Sequence, residues 1–248
     1  MKDKTTPEYR KMEEIAQGIL GRYPLWYMDM SESLKRGAME IVYAQGNTLL
    51  LQAPNEPDFY RLAAEDYETG LWAFRGLPVP RCVVARGRDT ARMLAEHFGL
   101  ETGEACCQGA YLDRDLLAWS LPGLTIGPMA EEEIPLAGEV YHGRTDYVRE
   151  RAEAGELFSA RMEGVFAGFI GFHDDGSTGL LEVLPAYRRR GIAQCLEKFM
   201  INFCLERGWI SYGQIYTDND ASFALQGSLG ITVDREHTLN WCFAPEEA

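Results

Sequence analysis

The sequence is short of positive charge: 24 Lys and Arg stand against 38 Asp and Glu, a formal net charge of −14. Such a surface is not expected to bind nucleic acid or an anionic membrane in general. There are four histidines, no Cys-x-x-Cys pair and no Cys/His spacing that suggests a metal site, so no metal is expected. Six cysteines (Cys82, Cys106, Cys107, Cys195, Cys204, Cys242) are too few for a disulfide scaffold of 248 residues. They read as reduced, mostly buried thiols of a cytoplasmic protein. No uninterrupted apolar stretch approaches the roughly 20 residues of a membrane span. The opening "MKDKTTPEYRKMEEIAQ" is polar and charged, unlike a secretory signal. No tandem repeat is evident.

What is present suffices for a packed protein. The chain is 46% apolar and 11% aromatic, and its length suits one large domain or two ordinary ones. Periodicity predicts helices over 7–21 and 25–37, then a hairpin around Gly46-Asn47. The stretch "DFYRLAAEDYETGLWAF" reads as helix, with Trp72-Ala73-Phe74 as core or else as a pocket lining. A strand and a helix follow over 81–99, then a strand over 104–112. The order restarts after 116–125. A short strand and two helices come first, the second opened by a Thr or Asp cap. Next come a hairpin turning at Glu163-Gly164, a strand ending at Pro185 and a helix from Gly191 to Gly208. A strand over 211–218, a helix closing at Gly230 and a final strand over 237–244 complete the chain. The fold class is mixed α/β in two domains, 1–118 and 119–248.

The densest basic cluster interrupts this acidic background. From residue 123 onward there are 10 Lys and Arg against 20 Asp and Glu, and three of the ten are Arg188, Arg189 and Arg190. They sit between a proline-ended strand and a helix start. The first N–H groups of a helix lack intrahelical partners and face the positive end of its dipole. Gly191 carries no side chain and Ala193 is small, so an anion can approach closely. Such a turn suits a pyrophosphate. Read without its neighbours, the run is a solvated basic turn.

Arg188-Arg189-Arg190-Gly191-Ile192-Ala193 resembles the (Arg/Gln)-x-x-Gly-x-(Gly/Ala) loop of the GNAT superfamily of acyl-CoA-dependent N-acyltransferases. Val183-Leu184-Pro185-Ala186-Tyr187 is similar to that family's strand end, and Asn219 with Leu229-Gly230-Ile231 to its Asn…Leu-Gly-Phe segment. The resemblance covers about half the chain. "VLPAYRRRG" and "HTLNWCFAP" look most like the glycine N-acyltransferase-like branch, which carries a degenerate related domain at its N-terminus. The resemblance implies splayed central strands over 178–184 and 211–217, with acetyl-CoA as acyl donor. Main-chain groups of Val183 and Leu184 would hold the pantetheine. Arg188, Arg189, Arg190, Gly191, Ile192 and Ala193 would hold the pyrophosphate, with Asn219 and Ser222 also on the cofactor. Leu184 N–H would serve as oxyanion donor.

The family's usual helpers are missing. Ser177 stands where relatives often carry Glu, and Gln226 where they often carry a general-acid Tyr. Glu182 is the substitute acid/base, or else an ordinary strand carboxylate. His173, Asp174 and Asp175 are further substitutes, or else a surface histidine and an ordinary Asp-Asp-Gly turn; Tyr212 and Tyr216 are weaker acid candidates, or else packing. The implied partners are acetyl-CoA and a small primary amine, with a homodimer among the arrangements allowed. Two other readings stay open: an acyl-CoA-binding regulatory module without turnover, and an interaction scaffold that binds no CoA.

Overall fold

The computed structural model describes residues 4–245. One order of elements occurs twice. In the first pass, α1 (Pro7–Leu20) and α2 (Met28–Lys35) precede strands β1 (Glu40–Gln45), β2 (Thr48–Gln52) and β3 (Phe59–Ala63). Then α3 (Tyr67–Ala73), β4 (Cys82–Arg86), α4 (Arg88–Phe98) and β5 (Glu101–Ala110) follow. After a lead-in strand β6 (Leu124–Pro128), the second pass repeats it. It runs α5 (Ile134–Val140), α6 (Thr145–Glu153), β7 (Leu157–Met162), β8 (Val165–Phe172), β9 (Thr178–Val183), α7 (Ile192–Glu206), β10 (Tyr212–Tyr216), α8 (Asp220–Ser228) and β11 (Thr232–Phe243). The repeat lies in the order of elements, not in residue identities.

The strands form two sheets, one mixed, with β3 and β4 parallel, and one antiparallel throughout. One runs β1-β2-β3-β4-β11-β5-β10 and the other β6-β7-β8-β9. Two compact units result. The first comprises Met1–Gly109, Gln214–Ser222 and Val233–Ala248; the second comprises Ala110–Gly213 and Phe223–Thr232. β11 pairs antiparallel with β4 from Leu239↔Arg86 to Phe243↔Cys82, which ties the end of the chain to the first sheet.

Most elements start and stop where local chemistry predicts. Thr6 caps α1 by accepting the Tyr9 N–H at 3.2 Å. The β7–β8 turn places Glu163 and Gly164 both at positive φ, 51° and 82°, which matches the strand twist in a two-residue hairpin. Two expectations fail. Phe59–Ala63 is a strand, not helix, and all five residues are buried. A strand covered on both faces loses the alternation that would identify it. The expected Thr or Asp cap of α6 is absent: Arg144 holds the cap position and makes no side-chain cap bond.

The cores follow the sheets. In the first unit, Leu50, Tyr60, Leu62, Val83 and Ala85 pack beneath Ala91 and Leu94 of α4. Phe74 joins that core, whereas Trp72 is half-exposed under the Arg75 guanidinium. Asp29 pairs with Arg61 and Arg86, all three buried. In the second unit, α7 covers one face through Ile192, Leu196 and Met200, and Ile134, Ala137 and Val148 of α5 and α6 cover the other. All six cysteines are free thiols. Among the described residues no helix is long and apolar enough to cross a membrane, and no His/Cys/Asp/Glu group could hold a metal.

Candidate active site

The arginine turn is built as the sequence suggests. After β9 the chain makes a short 3-10 turn at Pro185–Tyr187, and Arg188 is extended at φ −62°, ψ 156°. Arg189 then adopts φ +61°, and Gly191 caps α7 at φ +83°, ψ +2°. A left-handed non-glycine residue costs about 1–3 kcal/mol, and such residues cluster at binding and active sites. No side chain caps α7, whose first N–H groups therefore face outward at the positive end of a 15-residue helix. The three arginines are exposed. Among the described residues their only ion pair is a long one, Arg188 to Glu182 at 3.9 Å.

Gly191 is required by conformation, not by crowding, because a Cβ there meets nothing within 4 Å. Gly191→Ala is expected to lose about 1–2 kcal/mol of stability, the cost of a left-handed residue with a side chain. Urea denaturation measures it; an unchanged midpoint would show that the turn relaxes freely.

The register of β9 relocates one assigned group. Phe169 faces Glu182 but Gly171 faces Gly179, so one extra residue bulges from β9 at Leu180–Leu181, and Leu180 takes φ +52°. Past the bulge, Leu184 N–H donates to the Ala167 carbonyl at 2.9 Å. That amide is therefore spent inside the sheet and is not a free oxyanion donor. Alternation along the strand turns the N–H and C=O of Val183 to the unpaired edge, where the carbonyl accepts from Arg188 Nε at 2.9 Å. At its other end β9 touches the start of β10. Thr178 and Ser211 hydroxyls lie 3.1 Å apart, and a Cβ on Gly213 would approach the Thr178 carbonyl to 2.7 Å. Yet the two strands belong to different sheets.

Side chains on β9 divide by face. Leu181 and Val183 pack with α7, while Leu180 packs with α5 and α6. The carboxyl of Glu182 is about three-quarters covered, and burial raises its pKa above the usual carboxylate range, although Arg188 and His142 pull it down. His173 is not a surface residue. Its Nδ1 lies 3.0 Å from the Tyr147 hydroxyl, and its Nε2 occupies the space where a Gly179 Cβ would fall. Burial lowers its pKa, with Asp175 and Asp174 opposing. Ser177 is fully buried and gives both Oγ–H and N–H to Asp175 Oδ1, at 2.6 and 2.9 Å. It completes a turn and offers no acid or base. Tyr212 is packed, its hydroxyl donating to the Asp175 carbonyl at 2.8 Å, whereas Tyr216 is half-exposed.

Asn219 caps α8: its Oδ1 accepts the Ser222 N–H at 3.0 Å. Further along that helix, Gln226 Nε2 donates to Glu197 Oε1 at 2.8 Å. Glu197 is 6% exposed and burial pushes it up to about 7. Sequence reasoning passed over it. The signal was its spacing of four from both Ala193 and Ile201, which places an acid beside the apolar stripe of α7.

The comparisons with known proteins bear on the fold and on the segment that carries this turn. Residues 126–230 match the model of the Acetyltransferase (GNAT) family. Over 79 residues the chain is 37% identical to the N-alpha-acetyltransferase RimI of Mycobacterium tuberculosis, spanning 29% of this chain and about half, 49%, of that relative. Three solved structures are similar over nearly the whole length. A Drosophila malonogaster protein has TM-score 0.64 at 13% identity, covering 96% of this chain and 97% of that one. A GCN5-related N-acetyltransferase from Kribbella flavida has TM-score 0.56 at 19% identity, covering 90% and 96%. A GCN5-related N-acetyltransferase-like protein from Streptococcus suis has TM-score 0.54 at 14% identity, covering 94% and 98%. The fold is that of the GNAT superfamily. The match to that family's model is confined to residues 126–230, the part that carries the arginine turn.

Proposed function

We propose that the protein is an N-acetyltransferase that moves an acetyl group from acetyl-CoA to the α-amino group of a small metabolite such as an amino acid. The observation that carries the reading is the uncapped α7 N-terminus behind Arg188–Gly191, a built receptor for a diphosphate. Amides of Arg189 to Ala193 hold the pyrophosphate and the free edge at Val183 meets the pantetheine. The oxyanion donor comes from the Leu180–Leu181 bulge or the Val183 amide, not from Leu184. The amine nitrogen attacks the thioester carbonyl, the C–N bond forms, the C–S bond breaks and the thiolate takes up a proton. Glu182, with its raised pKa, accepts the amine's proton directly or through water. Positioning supplies much of the remaining rate. The catalytic domain in this reading is 119–248.

Acceptor class follows from magnitudes. An α-amine of pKa about 7.7–8.0 is partly neutral near pH 7.5, whereas a lysine ε-amine near 10.4 needs about three units of help, roughly 4 kcal/mol. Ser177 offers no base and Gln226 is engaged with Glu197, so the site lacks the usual means of supplying it. The matched M. tuberculosis relative is named for α-acetylation, which supports the same class. In a side-by-side assay of CoA release, α-amines are expected to react faster than lysine side chains. Preferential ε-acetylation would reject the acceptor assignment. Calorimetric binding of acetyl-CoA without turnover on a broad amine panel would favour the regulatory-module reading instead.

A further inference from the structure

A polar cavity lies wholly among residues of the first unit. It measures about 420 Å³ and is lined by Arg88 and Arg92 of α4, Thr102 and Glu104 of β5, Asp218, and Asn240 of β11. Asn240 shares a face with Cys242, whose thiol donates to the Ala91 carbonyl, so both look toward α4. Asn240 is 2% exposed. Its Nδ2 donates to the Gly103 carbonyl at 3.3 Å, which fixes the orientation of the amide. Oδ1 is then buried with no hydrogen-bond partner among the described residues. A buried acceptor left so is rare in a folded protein and calls for a donor.

The rest of the lining says what kind of donor. Arg88 and Arg92 stand one turn apart at the N-terminal end of α4, where Gly87 provides no side-chain cap. Arg88 has no ion pair among the described residues, and Arg92 has only an exposed contact with Glu96 on its own helix, a weak competitor. Two guanidiniums and uncapped amides suit a carboxylate. Glu104 and Asp218 on the same cavity disfavour a polyanion and favour an ammonium. A ligand with one charge of each sign satisfies the whole set. We propose that this cavity binds a free α-amino acid. The carboxylate lies on Arg88 and Arg92, and the ammonium donates to Asn240 Oδ1 beside Glu104 and Asp218.

The inference does not rest on the transferase reading. Its test is calorimetric titration of the full chain, without CoA, with a panel of free L-amino acids and the amide and N-acetyl derivative of each. At least one amino acid is expected to saturate, and each of its two derivatives to bind about tenfold weaker or worse, because one charged contact is lost. Arg88→Gln and Arg92→Gln, both exposed positions, should each weaken binding about tenfold. In ¹⁵N-labelled protein the Asn240 side-chain amide resonances should move with occupancy. CoA release at saturating amine should be the same in Arg88→Gln as in the parent, which separates this site from acetyl transfer. No saturation by any amino acid, equal binding of the derivatives, or unchanged binding in both arginine variants would each overturn the proposal.

Discussion

Replacing Arg188 and Arg190 together by alanine is expected to weaken acetyl-CoA binding by about 10²–10⁴-fold. Each charge-assisted hydrogen bond to a diphosphate oxygen is worth roughly 1.5–3 kcal/mol, and a factor of ten in affinity is about 1.4 kcal/mol. The fold should survive the change. Both side chains are exposed and neither is held in a strong ion pair, since Arg188 meets Glu182 only at 3.9 Å and Arg190 lies over the Tyr187 ring at 5.5 Å. Calorimetry on the parent and the double variant gives the ratio directly, with the thermal midpoint as the control for folding. Two features make the effect large. Arg189 is held left-handed and Gly191 leaves the helix amides bare, so the receptor is formed in advance and little ordering is needed on binding. Equal affinities would mean that the arginines serve only solubility, and would favour the scaffold reading. A tenfold rise in salt should also cost the parent more affinity than the variant, because screened attraction is what the variant has lost.

The arginine turn could be read from the sequence because everything that makes it is local. A proline ends the strand, a glycine starts the helix, and the charges sit between them. The other site features depend on partners far away in the chain. The resemblance implied Leu184 N–H as a donor, but its amide belongs to Ala167, seventeen residues earlier. A one-residue bulge at Leu180–Leu181 decides which amides face inward, and no residue type announces it. His173 looked like a surface histidine because Asp174-Asp175-Gly176 makes an ordinary turn. The burial comes from Tyr147 on α6 and from a bare Gly179 that admits the ring. β3 was hidden by being covered on both faces. The sharing of β10 and β11 with the first sheet was invisible because strand order is set by pairing over more than a hundred residues. Asn240 became a candidate only once that pairing set it among Arg88, Arg92 and Glu104.

Glu197→Gln is expected to change how stability depends on pH, and by the second largest margin. The carboxyl is buried in α7, holds one hydrogen bond from Gln226 and has its pKa pushed up to about 7 by burial. An unfolded glutamate titrates near 4.3. The folded state therefore binds the proton more tightly than the unfolded state. The contribution is fully present below about pH 4 and is lost progressively as pH rises through 7, where folding must carry a buried anion. The gap of between two and three units corresponds to roughly 3 kcal/mol at pH 8. Glutamine keeps the shape and cannot ionise. The variant should match the parent within about 1 kcal/mol at pH 5 and exceed it by roughly 3 kcal/mol at pH 8. Chemical denaturation of both proteins from pH 5 to 8 gives the difference, and the other titrating groups cancel in it. A difference that does not vary with pH would show that the carboxylate is charged throughout and that Gln226 already offsets its burial. The rising difference would instead show that the fold keeps Glu197 as a neutral acid, at a cost that grows from about pH 4 and is nearly complete by pH 7.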